Sequence, residues 1–218
     1  MAAILTVNLA TPRPNPDKGE LITGIDKRPT SEAVPVRAPG PMHGGLGSGL
    51  VGDTIGDQQV HGGDDQAVYA YAREDLDDWQ VRLDRVLDNG SFGENLTTTG
   101  LDVTEAVIGE RWQISGGGPL LEVARPRIPC RTFAAWLEIG GWVKTFTAQA
   151  VPGAYLRVVT PGVLRAGASI TVLSRPQHDV TVAEVFRALT LEPELLPRLL
   201  QADALPDHLK ERASRRGN

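Results

Sequence analysis

The sequence predicts a mostly β protein: a largely antiparallel barrel with a few inserted helices and a small three-helix tail. Short apolar runs with period-two alternation recur along most of the chain, glycine and proline pairs punctuate them, and helical spacing is confined to a few stretches. With 218 residues, 41% hydrophobic and 22% charged, the chain can bury a sizeable core and has the composition of a folded protein.

Ala3 to Leu9 reads as the first strand, and Thr11 to Lys18 gathers Pro, Asn and Asp into a loop. Leu21 to Ile25 and Ala33 to Arg37 are further short strands. Pro39 to Gly63 is dense in glycine and proline and reads as one long loop, of the kind that more often serves function than idles. Ala67 to Tyr71 is a strand. Between Ala72 and Asp88, Leu76, Trp79, Leu83, Val86 and Leu87 recur at helical spacing behind an acidic first turn, which predicts an amphipathic helix with its Trp and Leu stripe on the core. Gly90 to Gly100 reads as a loop.

Val107 to Ile114, Leu120 to Ala124, Tyr155 to Val159 and Ala168 to Leu173 suit strands, with Pro161-Gly162 and Ala166-Gly167 as turns. Arg131 to Ile139 and part of Gly141 to Ala150 suit short helices. After a polar linker, Ser174 to Asp179, the spacing of Thr181 and Glu184 is that of a capping box, and Pro193 and Pro206 suit the starts of two more helices. The expected division is a barrel over residues 1–175 and a helical module over 180–218.

Composition narrows the function classes. A net charge of −5 argues against duplex nucleic acid as a partner, because phosphate neutralisation needs a concentrated basic surface. The basic stretch Lys210 to Arg216 reads as a solvated helix end. No apolar run reaches the length of a membrane span, and Met1 to Leu9 lacks the basic start of a secretory signal, so the expectation is a cytoplasmic protein. A single cysteine fits a reducing compartment.

That cysteine, Cys130, ends a Pro-Arg-Ile-Pro-Cys run and has no partner for an intramolecular disulfide. Packing, nucleophilicity and binding of a soft metal remain as its uses. Arg125, Arg127 and Arg131 lie close in sequence, where guanidinium charge favours thiolate or holds phosphate. His61-Gly62-Gly63 lets backbone amides approach an anion beside an imidazole, or is simply a turn. Asn95, in Phe92-Gly-Glu-Asn-Leu96, offers a donor and an acceptor to a heterocycle edge, or makes an Asx turn. Gly47-Ser-Gly49-Leu-Val-Gly52 has dinucleotide-fingerprint spacing without the required flanking strand and helix, so it reads as a turn. Metalloprotease, paired-cysteine zinc, Walker and nucleophile-elbow motifs are absent from the sequence.

Taken in order, Gly24-Ile-Asp-Lys-Arg-Pro29, Gly49-Leu-Val-Gly-Asp53, Asp57 with His61-Gly-Gly63, Phe92-Gly-Glu-Asn-Leu96 and Pro126-Arg-Ile-Pro-Cys130 resemble the MOSC-domain family, named for the C-terminal part of molybdenum cofactor sulfurase, and within it the bacterial YiiM-type members. The resemblance implies a barrel related to that of pyruvate kinase and a molybdenum-pyranopterin cofactor with Cys130 as its thiolate ligand. It makes Cys130 and His61 the catalytic candidates, and Lys27, His61, Gly62, Gly63, Asn95, Arg127 and, less directly, Asp57 the groups that grip phosphate and pterin. The implied reaction is reduction of hydroxylaminopurines, hydroxylamines or amidoximes to amines or amidines. Nothing in the sequence resembles an iron–sulfur or flavin site, so a separate electron-donating reductase is expected. Two alternatives stand beside this: a cofactor or sulfur carrier without turnover of its own, and a degenerate barrel with a buried thiol. Oligomeric state is open, a homodimer being one option.

Overall fold

A computed structural model describes residues 1–215; Arg216, the end of the basic stretch, lies outside the described residues. In chain order the strands are β1 (Ala3–Ala10), β2 (Arg13–Pro14), β3 (Ile22–Thr23), β4 (Lys27–Thr30), β5 (Val34–Val36), β6 (Val68–Ala72), β7 (Leu96–Thr99), β8 (Arg111–Ile114), β9 (Leu120–Pro126), β10 (Ala154–Thr160), β11 (Gly162–Leu164) and β12 (Ile170–Ser174). The α-helices are α1 (Arg73–Leu83), α2 (Arg131–Leu137), α3 (Trp142–Gln149), α4 (Val182–Thr190) and α5 (Asp207–Arg215).

The main sheet runs β12-β8-β9-β10-β6-β7-β1-β4. Its two ends meet: Ile4 N donates to Ala168 O at 2.9 Å, Ile170 N to Ala2 O at 2.9 Å and Gly167 N to Ile4 O at 2.8 Å. These bonds close seven strands into a barrel and leave β4 as a flap on the far half of β1, where Ala10 pairs with Lys27. All neighbouring strands of this sheet are antiparallel except β6 and β7. A parallel pair needs a crossover, and α1, which begins where β6 ends, supplies it.

Side chains of β6 alternate between two buried clusters, as the period of a strand requires. Val68, Ala70 and Ala72 join the barrel interior with Ile4, Leu96, Trp112 and Leu156. Tyr69 and Tyr71 face outward into an aromatic cluster with Trp79 of α1, Phe92, Phe133 of α2, and Trp142 and Phe146 of α3. Trp79 stacks on Phe146 at 5.9 Å and Phe92 meets Phe133 edge-on at 5.1 Å. The C-terminal helices feed both clusters. Leu196, Leu199 and Leu209 belong to the first, and Phe186 reaches the second. Thr181 caps α4 as its spacing predicts, accepting from Glu184 N at 3.2 Å.

Several elements differ from the sequence expectation. The 90–100 segment holds a buried strand, β7, whose three threonines are β-branched and suit a pleated surface. β4 forms on a charged, proline-containing stretch, which an outermost strand tolerates. Gly162 begins β11 instead of a turn, pairing with Val36. Helix α1 stops at Leu83 because Asp84 turns left-handed, so Val86 is 80% exposed and not part of the core stripe. Val107 makes one bridge, to Thr181, and β8 begins only at Arg111. The second tail helix, Pro193–Gln201, is 3-10, with Pro197 inside it. Among the described residues, no helix is long and apolar enough to cross a membrane.

Phe186 is fully buried and its ring centroid lies 6.3 Å from that of Phe146. Phe186→Ala should lower unfolding free energy by about 3–5 kcal/mol, the usual cost of removing a buried phenylalanine, as read from urea denaturation.

Candidate functional site

A cavity of about 320 Å³ opens beside the barrel, between the 15–25 segment, the 54–62 segment, β6, the 92–95 turn and the passage from β9 into α2. Seven residues singled out from sequence line it: Lys27, Asp57, His61, Gly62, Asn95, Arg127 and Cys130. Gly63 is outside the lining. It has φ of 80°, a Cβ there would stand 2.7 Å from Met42 N, and its own N–H donates to Gly47 O at 3.0 Å. Its glycine is needed to fold the long loop back on itself, which corrects the expectation of a ligand contact.

The cavity wall is anchored by Asp53, whose side chain is fully buried. Lys27 Nζ, Ala10 N at 2.9 Å, Ser48 Oγ at 2.8 Å and Asn95 Nδ2 at 2.9 Å all donate to its carboxylate. Burial works against the charged form, yet Lys27 and these hydrogen bonds outweigh it and hold Asp53 below the usual carboxylate range. For Lys27, burial pushes the ammonium down and outweighs the pull of Asp53. Asn95 completes the set, its Oδ1 accepting from Tyr69 N at 3.1 Å. Both ends of its amide are therefore engaged within the protein, tying β6 to Asp53, and neither an open heterocycle reader nor an Asx turn describes it. Asp53 was missed as a site residue, although it ends the quoted Gly49-Leu-Val-Gly-Asp53 motif.

Cys130 is half-buried, at the step from β9 into α2. Burial raises its thiol, but a hydrogen bond from His61, the charge of Arg127 and the N–H of Phe133 outweigh that and bring it down to about 7. Arg127 is 7% exposed, and its guanidinium lies 3.6 Å over the Phe133 ring and 5.5 Å from the Tyr69 ring centroid. Three other cations line the cavity, and each has a carboxylate: Lys18 with Asp57 at 3.1 Å, Arg131 with Asp17 at 2.9 Å, and Lys27 with Asp53. Among the described residues Arg127 forms no ion pair, and its Nη1 is buried without a hydrogen-bond partner. A cation left so in a low-dielectric wall is costly unless an anion completes it.

Asp57 serves the mouth. Lys18 holds it as a carboxylate below its ordinary range, bridging the β2–β3 hairpin to the long loop. The same hairpin reaches α2 through Asn15 and Thr132, 3.2 Å apart. Gly24 permits its close approach, since a Cβ there would fall 2.0 Å from Thr54 O. Among the described residues, no group of three or more His, Cys, Asp or Glu side chains is placed to hold a metal ion. A metal at Cys130 must bring most of its ligands with it. Tyr69 and Tyr155 also line the cavity. Sequence gave no signal for either, because an aromatic residue in a strand reads as core.

Two outcomes follow from this geometry. Asp53→Asn should cost about 3–5 kcal/mol by stranding Lys27. Because the folded Asp53 pKa lies below its unfolded value, roughly 3.9, the pair's stabilisation is complete above that value and disappears as pH falls through the folded one; acid titration of wild type and variant reads this. In cofactor-free protein, the rate of Cys130 alkylation by iodoacetamide should rise with a midpoint near 7, and His61→Ala should move that midpoint upward.

Residues 57–171 match the MOSC domain family. The Escherichia coli protein YiiM is 33% identical over 165 residues, 72% of this chain and 71% of that one. A Gibberella moniliformis protein named Reductase is 29% identical over 158 residues, 70% of this chain but only 28% of its own. The crystal structure of YiiM from Geobacillus stearothermophilus covers 99% of both chains with a TM-score of 0.78 at 24% identity, which shows a common fold. The family match runs from the lysine-latched Asp57 through Cys130 into the strand that closes the barrel, and on it, this chain belongs to the MOSC domain family.

Proposed function

We propose that the cavity holds a molybdenum-pyranopterin cofactor and that the protein reduces N-hydroxylated compounds to amines. The observation that carries this reading is Arg127: a buried, unpaired guanidinium beside a cysteine whose thiol is already poised near neutrality. A soft thiolate suits molybdenum, and a lone fixed cation suits the phosphate of the pterin. The donor set agrees, since a single cysteine is enough only for a metal that arrives within a chelating cofactor.

When bound, that group supplies the two-electron redox chemistry that N–O cleavage needs. This chain's residues do the rest. Cys130 offers sulfur as thiolate with little proton displacement, and His61 receives or returns the proton at Sγ. Arg127, fixed on the Phe133 ring, holds the anionic group without rearranging. Lys27, neutralised by Asp53, shapes the wall and adds no net charge. The Lys18–Asp57 and Arg131–Asp17 pairs narrow the mouth and limit water.

The net reaction is R–NHOH with two electrons and two protons to R–NH2 and water. Electrons come from a separate reductase. The Gibberella relative supports this: its name is Reductase, and the matched region is 28% of its chain, leaving ample length for further modules. The free thiol fits a reducing, cytoplasmic setting.

Protein from a cofactor-producing host should contain molybdenum, and Cys130→Ser and Cys130→Ala should lose it. With reduced methyl viologen as donor, wild type should reduce 6-hydroxylaminopurine and benzamidoxime, and either variant should lose that turnover by about a hundredfold or more, as expected for removal of a metal ligand. Molybdenum bound with no turnover across such a panel would instead favour a cofactor carrier. Metal analysis and amine formation are the two measurements.

A further inference from the structure

The chain has three tyrosines, all clustered at this site. Tyr69 donates its hydroxyl to Pro152 O at 2.8 Å, and Tyr71 donates to Val151 O at 2.9 Å while accepting from Trp79 Nε1 at 3.0 Å. Tyr155 is different. It pairs across the sheet with Tyr69 on one side and Arg125 on the other, and its ring lies 5.0 Å from that of Tyr69. It lines the cavity close enough to Cys130 for the two groups to feel each other's charge. Yet among the described residues its hydroxyl has no hydrogen-bond partner.

Cleaving N–O with release of water requires protons at the departing oxygen, inside a cavity where most polar groups are already engaged. Asp57 is held by Lys18, Lys27 by Asp53 and Thr132 by Asn15, while His61 stands against the Cys130 sulfur. Resting on the reductase reading above, we propose that Tyr155 is a catalytic residue whose hydroxyl hydrogen-bonds the oxygen of the bound N–OH group and gives it a proton as the N–O bond breaks. The N–O electron pair leaves with oxygen, which departs as water after taking one proton from Tyr155 and keeping its own. The amine nitrogen takes the second solvent-derived proton, the external reductase supplies two electrons, and solvent at the mouth returns the proton to Tyr155. A strand position suits the task, because the backbone on both sides is fixed by cross-strand bonds.

Tyr155→Phe removes one oxygen and keeps the ring. In molybdenum-loaded protein driven by reduced methyl viologen, kcat for benzamidoxime should fall by at least about tenfold, the low side of what a positioned proton donor contributes. Molybdenum content, the Cys130 alkylation rate of the cofactor-free form, and the benzamidoxime dissociation constant measured calorimetrically without reductant should each stay within about threefold, because the hydroxyl acts mainly in the transition state. A kcat within twofold of wild type overturns the assignment. Molybdenum content falling in step with kcat also overturns it, since the hydroxyl would then be holding the cofactor. Wild-type protein that carries molybdenum but reduces no N-hydroxyl substrate overturns the reductase reading itself, a result distinct from failure of the variant alone.

Discussion

The Lys27–Asp53 pair is the constraint on which the rest of this structure depends. One buried carboxylate gathers a strand flap through Lys27, the central strand β1 through Ala10, the long loop through Ser48, and β6 through Asn95. Four pieces of chain far apart in sequence are fixed at one point. Such a pair is retained less for net stabilisation than for defining one arrangement, because burying both charges costs about as much as their attraction returns. With that point fixed, the glycine-rich segment after residue 39 has a single way to lie, and the cavity has a wall.

Much of the barrel could be read from alternation alone. β1, β6, β9, β10 and β12 appear where period two is clean, and α1 and the capped α4 appear where spacing turns helical. The elements that escaped are those whose stability comes from neighbours. β7 is a run of threonines whose burial is decided by lying between β6 and β1, and β4 is charged because only one side of it is paired. Val86 continues a helical pattern that the backbone abandons at Asp84. No periodicity contains that information.

The site shows the same split. Cys130, Arg127 and His61 were found because each has side-chain chemistry that is conspicuous in a short motif, and the cavity brings all three together. Asn95 and Gly63 carried equally conspicuous motifs, but the fold uses them as fasteners. What distinguished the groups was whether a polar atom was left without a protein partner, a property of three dimensions. Arg127 Nη1 is left so, while the amide of Asn95 is not. Tyr155 lay invisible in sequence for the opposite reason: a tyrosine in a strand looks like packing until the bonds of its two fellow tyrosines are traced.

The seam of the barrel bears on how the molecule is made. Ala2 and Ile4 complete their hydrogen bonds with Ala168 and Ile170, so the first strand to leave the ribosome waits for nearly the last. Contacts between such distant stretches slow folding, and until they form both margins of the sheet are open to other chains. Nascent protein thus passes through a stage with β1 unzipped on one flank, when chaperone capture competes most directly with closure.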